Sequence, residues 1–451
     1  MSDLLAARSQ MAMSLGFHII FAIIGVAMPL MMTVAEWCWT RTGDPAYLAL
    51  ARRWAKGAAI LFAVGAVSGT VLSFELGLLW PHFMEWAGPV IGPLFALEGF
   101  AFFTEAIFLG IYLYGWHHLR PALHIAAGVV VTASGVASAV VVTTANAWMN
   151  TPVGFELADG FPRNIQPWAV MTNPHALHES LHMVLAAFAA TGLLVAGIHA
   201  VLILRGAHDN FHRHALAIAL LVGGIPTLLQ PLSGDALTKA VAAHQPAKLA
   251  AMEALFHTAQ GASFHLGGLP DEDSQSVPYA LEIPNMLSLL LYLDPQATVV
   301  GLDRTPRRDW PPVAVVHVAF QIMVGAGIVM MILVLWAAWR WKQGRLYTDR
   351  ALLWCLALGA PLGLLAIECG WVVTEVGRQP WIIYEIMRTS EAVTPMPGIV
   401  VPFMLFTLLY GLLALIVVWT LWRHIAATER PDPVSGSPRA PALPGGEVNV
   451  G

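Results

Sequence analysis

Nine long, mostly apolar stretches recur along this chain of 451 residues and limit the folds that it can adopt. A helix needs about 20 apolar residues to cross the hydrocarbon core of a bilayer. The stretches occupy residues 12–36, 56–80, 92–115, 123–148, 179–204, 214–234, 313–339, 351–376 and 398–422. Hydrophobic residues make up 57% of the chain and charged residues only 11%, which excludes an ordinary soluble domain. The sequence therefore predicts an all-α, polytopic membrane helical bundle with about nine transmembrane helices.

The distribution of Lys and Arg predicts how the bundle is oriented. Arg41, Arg52, Arg53 and Lys56 lie near the connection between the first two stretches, whereas the connection between the second and third has neither residue type. Positive charge favours the cytoplasmic side, so we expect a periplasmic N-terminus and a cytoplasmic C-terminus. The first stretch follows no basic region and no clear cleavage site, and we expect a retained helix.

The same pattern divides the chain into four segments. Residues 1–234 are expected to hold helices 1 to 6, and 313–426 helices 7 to 9. Residues 235–312 form a periplasmic loop in which PAKLAAMEALFHTA is predicted to be a surface helix. Residues 427–451, rich in Pro, Gly and Ser, are predicted to be a disordered cytoplasmic tail. The net charge of −5 gives no indication of nucleic-acid binding.

Four potential metal ligands collect in the outer half of the predicted bundle: His18, His182, Met323 and Glu375. Imidazole and thioether groups are strong haem ligands, and a His/Met pair makes a six-coordinate haem for electron transfer. A haem that binds O2 needs an open position, which a lone His or carboxylate provides. The alternatives are a packed histidine, a methionine that fills the core, and a Glu375–Arg378 ion pair at the membrane boundary.

Two other functions compete for some of these residues. His178, Glu179 and His182 fit the H-E-x-x-H pattern of zinc proteases, although no third ligand accompanies them. Glu98 and Glu105 suit a proton-coupled transporter, although the chain has no inverted repeats or paired broken helices. Both alternatives leave the remaining polar residues of the helices without a role.

Six segments together resemble, in order and over about residues 5–425, subunit I of the cytochrome bd-type quinol oxidases. They are ARSQMAMSLGFH (7–18), GPLFALEGFAFFTEAIFLG (92–110), ANAWMNTP (145–152), QPAKLAAMEALF (245–256), FQIMVG (320–325) and GWVVTEVGRQPW (370–381). The ESLHMV segment around His182 also matches. The resemblance implies a quinol:oxygen oxidoreductase of the bacterial cytoplasmic (inner) membrane.

The resemblance implies three haems. His182 and Met323 would ligate a low-spin haem b. His18 and Glu375 would each be the axial ligand of a high-spin haem, of which one is haem b and the other haem d or a further haem b.

Other residues would support these haems through charge and packing. By resemblance, Arg378 would neutralise a haem propionate, and Arg8 would do likewise. Trp371 would lie between haems. Gln321 departs from the family, which often has Arg at this position. Glutamine here is similar to the cyanide-insensitive branch and leaves the type of the third haem open.

The resemblance also implies the remaining reaction partners. Lys248 and Glu253 would bind ubiquinol or menaquinol in the periplasmic loop. Glu98, Glu105 and Ser138 would carry cytoplasmic protons to the site where O2 becomes water, which generates a proton motive force without pumping. A second subunit, a small single-helix subunit and membrane lipid are the expected partners.

The predicted topology can be tested with a reporter enzyme fused near Ala262. A reporter that is active only in the periplasm should be active at this position, because residues 235–312 are expected to be outside. Activity of a cytoplasmic reporter at the same position would overturn both the topology and the outer cluster of ligands.

Overall fold

The computed structural model describes residues 1–426, and this range is predominantly helical. The helices are α1 (Asp3–Thr42), α2 (Pro45–Leu79), α3 (Pro81–Tyr114), α4 (Pro121–Asn150), α5 (Pro167–Met171), α6 (Ala176–Leu204), α7 (Asn210–His244), α8 (Pro246–Met252), α9 (Met286–Tyr292), α10 (Val313–Lys342), α11 (Arg350–Gly359), α12 (Leu362–Val376), α13 (Thr389–Ala392) and α14 (Val400–Ala426). Two short 3-10 helices cover Leu302–Arg304 and Arg307–Asp309.

Short strands occur only between the helices of the described range. They are β1 (Glu156–Ala158), β2 (Phe161–Arg163), β3 (Ala259–Gln260), β4 (Phe264–Leu266), β5 (Leu281–Ile283), β6 (Thr298–Val299), β7 (Trp381–Ile383) and β8 (Met387–Arg388). They pair antiparallel as β1–β2, β3–β6, β4–β5 and β7–β8. Each sheet has only two strands, so the helices carry the fold.

Within residues 1–426, nine helical spans are long and apolar enough to cross a membrane. One of them comprises α11 and α12 together, and each span overlaps one predicted stretch. The prediction of an all-α membrane bundle with nine transmembrane helices is therefore confirmed. The predicted tail, 427–451, lies outside the described residues.

Local sequence signals explain where the helices begin and end. Asp44 accepts a hydrogen bond from the backbone N–H of Ala46, and Pro45 occupies the first position of α2. Gly43 ends α1 in the left-handed conformation, with φ of 73°. Asp209 likewise accepts from the N–H of His212 at the start of α7. Asp44 and Asp209 thus mark where α2 and α7 begin.

The centre of the bundle is formed by α1 and α6, whose apolar segments are the most buried, whereas α3 and α14 are the most exposed. Two glycines let α6 approach α7 closely. A Cβ atom added at Gly192 would lie 2.4 Å from the Gly223 Cα, and one at Gly223 would lie 2.7 Å from the Gly192 Cα. Small residues at helix contacts allow this approach in membranes, where apolar burial alone favours no contact.

The long connection between α7 and α10 folds back onto α10. α7 continues to His244, beyond the end of its apolar stretch at residue 234. The prediction of a surface helix in PAKLAAMEALFHTA is wrong, because every residue of this segment from Ala247 to Met252 is buried in α8. Its alanines, Leu249 and Met252 pack in one cluster with Val316 and Phe320 of α10. The first turns of α10 thus supply the apolar surface that covers α8.

The glycine contact between α6 and α7 leads to a stability prediction. Gly192→Ala should lower the free energy of unfolding by about 1–3 kcal/mol, because the backbone of Gly223 cannot move aside as a side chain can. The measurement is the thermal unfolding midpoint of the purified protein in detergent. Gly325→Ala is the matched control, since no atom lies within 4 Å of a Cβ added there. Equal midpoints for the two variants would contradict the prediction.

Candidate functional site

His18 lies at the contact between α1 and α2 and is held by a serine. Its Nδ1 lies 3.0 Å from the Ser68 hydroxyl, which donates its own hydrogen to the carbonyl of Val64 at 2.9 Å. The hydroxyl must therefore accept from Nδ1–H, which leaves a lone pair on Nε2. A Cβ added at Gly69 would lie 2.9 Å from the His18 Cε1, so glycine makes room for the ring.

His182 of α6 repeats this arrangement against α7. Its Nδ1 lies 3.0 Å from the Ser233 hydroxyl, which donates to the carbonyl of Gln230 at 2.9 Å. A Cβ at Gly234 would lie 3.3 Å from the ring. The Gln230 amide nitrogen lies 3.1 Å from the His182 Nε2 and hydrogen-bonds to its lone pair. Metal-binding histidines commonly fix their second nitrogen in this way, which orients the ring and sets its tautomer.

Met323 of α10 faces α12 rather than lipid. A Cβ added at Gly370 would lie 3.1 Å from the Met323 sulfur, so this contact again needs a glycine. Trp371 follows directly, and its indole Nε1 is buried without a hydrogen-bond partner. The structure places Met323 at the interface of α10 and α12 and His182 at the interface of α6 and α7. Trp371 packs against the central apolar cluster of the bundle.

Glu375 is half-buried and lies at the centre of a polar cluster at the end of α12. One carboxylate oxygen accepts a 2.6 Å hydrogen bond from Arg378, and the other accepts from the amide of Asn146 on α4. Arg378 is 2% exposed, yet its Nε and Nη1 have no hydrogen-bond partner. These two donors can bind a further anion.

The cluster continues into the loop through two asparagines of α4. Asn150 donates to the Asn146 side-chain oxygen at 3.0 Å and accepts from the Lys248 ammonium at 2.6 Å. A hydrogen-bonded chain thus runs from Lys248 to Glu375. Sequence reasoning did not assign Asn146 and Asn150, although two asparagines four residues apart at the end of an apolar helix are a usable signal.

Lys248 and Glu253 lie inside the protein at the base of the loop, with exposures of 4% and 3%. Burial, reinforced by the nearby Arg378 charge, lowers the pKa of Lys248 below its usual range. Burial raises the pKa of Glu253 to about 8. One oxygen of Glu253 has no hydrogen-bond partner. The pair therefore combines a buried carboxyl that is neutral near pH 7 with an amine that loses its proton readily.

The predicted proton-carrying residues lie on α3 and α4. Glu105 is 7% exposed and points at α4, where its Oε2 would lie 3.5 Å from a Cβ added at Gly135. Glu98 precedes it by two helical turns and is half-buried. Ser138, also half-buried, is one turn beyond Gly135 on α4. The helices α3 and α4 pack together, and Glu105 lies at their contact.

Two further residues, of which only Arg8 was predicted, lie apart from these clusters. Arg8 is half-buried near the start of α1, ten residues before His18. Glu368 lies one turn before Trp371 on α12, and its Oε2 would lie 3.1 Å from a Cβ at Gly16, beside the His18 segment. Glu368 was not assigned from the sequence, although a carboxylate in an apolar helix is a general signal of function.

The zinc-protease alternative finds no support in the structure. Among residues 1–426, no group of three or more His, Cys, Asp and Glu side chains is arranged to hold a metal ion. Glu179 is buried and interacts electrostatically with Lys248, Arg378 and Glu375 instead. The residues of the H-E-x-x-H pattern therefore belong to two different sites. His182 faces α7, whereas Glu179 lies near the charges of Lys248, Arg378 and Glu375.

The donor set fits haem iron. Imidazoles with one nitrogen fixed, a thioether sulfur and a carboxylate are axial ligands for haem, and glycines beside three of them leave space that a Cβ would fill. The unbonded Arg378 nitrogens suit an anionic propionate. Fold and site together define a polytopic membrane protein with a ligand set for haem.

Comparison with known proteins identifies the family. The profile of cytochrome bd terminal oxidase subunit I matches residues 6–429, and the chain belongs to this family. It is therefore a subunit of a membrane-embedded respiratory oxidoreductase. It is 39% identical to the putative cytochrome bd menaquinol oxidase subunit I of Bacillus subtilis (strain 168) over 429 residues, covering 93% of this chain and 96% of that relative.

Two further similarities extend over nearly the whole chain. The cytochrome bd ubiquinol oxidase subunit 1 of the same organism is 29% identical over 458 residues, covering 97% of this chain and 98% of the relative. The solved structure of the bd oxidase from Geobacillus thermodenitrificans has a TM-score of 0.89 at 38% identity, covering 94% of this chain and 99% of that one.

Proposed function

We propose that this chain is the haem-bearing subunit of a quinol:oxygen oxidoreductase that oxidises quinol at the periplasmic face and reduces O2 with cytoplasmic protons. The observation that supports it most is the repeated His–Ser arrangement. Ser68 and Ser233 each fix the Nδ1 of one histidine, so the lone pair of each Nε2 could bind iron. At His182 the iron would replace the hydrogen bond that Gln230 donates to Nε2. Relatives named for menaquinol and ubiquinol support a quinol as the electron donor, without deciding between the two.

In this proposal His182 and Met323 hold the low-spin haem b, and His18 and Glu375 each hold a high-spin haem. One of the high-spin haems is haem b and the other is haem d or a further haem b. Bound haem supplies one-electron transfer and the reduction of O2. Arg378 would bind a propionate with its two unbonded nitrogens, since an anion there neutralises a buried guanidinium.

Quinol oxidation is assigned to Lys248 and Glu253. Two quinols release four electrons and four protons, and each hydroxyl proton needs an acceptor. The Glu253 carboxylate accepts a proton readily because its buried, neutral form is favoured, and neutral Lys248 is also an acceptor. The Asn150 side chain holds the Lys248 ammonium in place at 2.6 Å.

Oxygen reduction consumes four protons and four electrons for each O2, giving two waters. Glu105, Ser138 and Glu98 are proposed to carry these protons along the α3–α4 contact from the cytoplasm, since carboxyl and hydroxyl groups can pass protons through an apolar bundle. Quinol protons leave on the opposite side. The two half-reactions therefore generate a proton motive force without a pump.

The remaining predicted roles concern support and assembly. By resemblance to the family, Trp371 would lie between haems. Arg8 would pair with a haem propionate. The exposed apolar faces of α3 and α14 suit a second subunit and lipid, and a small single-helix subunit is a further proposed partner. The loop of residues 235–312 is proposed to be periplasmic, with the C-terminus cytoplasmic.

Four alanine variants test the haem assignment. His182→Ala and Met323→Ala should both abolish the reduced-minus-oxidised band of the low-spin haem, because a six-coordinate iron needs both strong ligands. His178→Ala and Glu179→Ala should keep that band. The measurement is the difference spectrum of the purified protein. Zinc without haem in the wild type, lost in the two histidine variants, would refute the oxidase proposal.

The pH dependence tests Glu253 separately. Glu253 accepts a quinol proton only when ionised, and its pKa is raised to about 8. The kcat/KM for quinol should therefore rise by up to about 25-fold between pH 6.5 and 8.5, because the ionised fraction grows about tenfold per pH unit well below the pKa. Glu253→Gln should remove this rise and lower activity while haem content stays intact. The matched control is Glu282→Gln, whose side chain is 64% exposed in the same loop. An unchanged pH profile in Glu253→Gln would contradict the assignment.

A further inference from the structure

The first turns of α10 are fastened to the loop by two side chains that the proposed function does not use. Gln321 donates through its amide nitrogen to the carbonyl of His265 at 2.8 Å. Its amide oxygen accepts from the backbone N–H of Gly267 at 3.2 Å. One side chain thus makes a donor and an acceptor contact with the same segment around β4.

His317, one turn earlier on α10, makes a second pair of contacts. Its ring is 0% exposed. Nδ1 lies 2.8 Å from the carbonyl oxygen of Met252, and Nε2 lies 2.9 Å from the carbonyl oxygen of Gly267. Carbonyl oxygens only accept, so the ring donates to one of them through its N–H and packs against the other. The ring therefore ties the end of α8 and the end of β4 to one point on α10.

These four polar contacts connect the proposed quinol residue to the proposed haem ligand. Met252 directly precedes Glu253, and the His265 ring donates through Nδ1–H to the Glu253 carbonyl at 3.0 Å. On the other side, Met323 lies two residues after Gln321. We propose that His317 and Gln321 are positioning residues that hold the quinol-binding loop in register with the helix that ligates the low-spin haem. This inference rests on the roles proposed above for Glu253 and Met323.

The chemistry of residue 321 explains why glutamine suits this contact. The Gly267 N–H needs an acceptor and the His265 carbonyl needs a donor, and a primary amide supplies both. A guanidinium has only donors, so the arginine that the resemblance leads one to expect would leave the Gly267 N–H unpaired. Leaving a buried polar group unpaired costs more than the hydrogen bond itself contributes. The Gln321 side chain therefore hydrogen-bonds to the loop and is not available to bind a haem propionate.

The test uses Gln321→Leu, Gln321→Arg and His317→Leu in the whole oxidase in membranes. Losing about 1.4 kcal/mol of net hydrogen-bond stabilisation corresponds to about a tenfold change. We expect the KM for quinol to rise about tenfold in the two leucine variants, with kcat within twofold and the low-spin haem band kept. Gln321→Arg should show a smaller rise, because it keeps the bond to His265.

Protection of the loop gives a second readout that does not depend on activity. Proteinase K should cut residues 253–267 about tenfold faster in the leucine variants than in the wild type, because the segment is released from α10. Gln260→Leu is the matched control, since this exposed glutamine lies in the same loop outside the contact. If His317→Leu fails to assemble, Gln321→Leu decides alone.

The outcomes separate this inference from the proposed function. Wild-type KM and wild-type cleavage in Gln321→Leu would overturn the inference, whatever Glu253→Gln does. If Glu253→Gln oxidises quinol normally, the assignment of the quinol site fails, and faster cleavage in Gln321→Leu would still establish the contact between loop and helix.

Discussion

The Glu375 carboxylate, held between the Arg378 guanidinium and the Asn146 amide, is the interaction on which the rest of the site depends. Charge at the end of a membrane helix is tolerated only where partners replace water. Glu375 satisfies this requirement through α4, and Arg378 keeps two nitrogens for another anion. Through Asn150 the same network reaches Lys248. The end of α12, the end of α4 and the base of the loop thus form one polar unit.

The loop is a structural part of the bundle rather than an appendage. α8 is buried, and its residues share an apolar cluster with the first turns of α10. His317 and Gln321 add hydrogen bonds to the same contact. The proposed quinol site near Glu253 and the proposed haem ligand Met323 are therefore fixed relative to one another by packing and by directional bonds. Such a loop can be long and still hold a site in a defined geometry.

The sequence predicted the fold, whereas the surroundings of the proposed ligands came only from the structure. Apolar length fixed the nine spans, since each needs only enough hydrophobic residues in a row. The burial of Lys248 and Glu253 could not be read from the sequence. A short alanine-rich segment with one lysine and one glutamate can lie on the protein surface or be covered by another helix, as α10 covers it here. Ser68 and Ser233 have no local pattern that marks them as partners of histidines far away in the chain.

By itself, then, the sequence determined the class of protein: a helical membrane bundle with imidazole, thioether and carboxylate groups placed in apolar helices, where their cost implies a function. Only the tertiary structure decided how those groups are held. It assigned His182 and Glu179 to different sites although they are one turn apart, and it brought Asn150 to Lys248 across 98 residues. The reason is physical: hydrophobic length acts locally along the chain, whereas a hydrogen bond depends on which distant backbone or side chain packing places within about 3 Å.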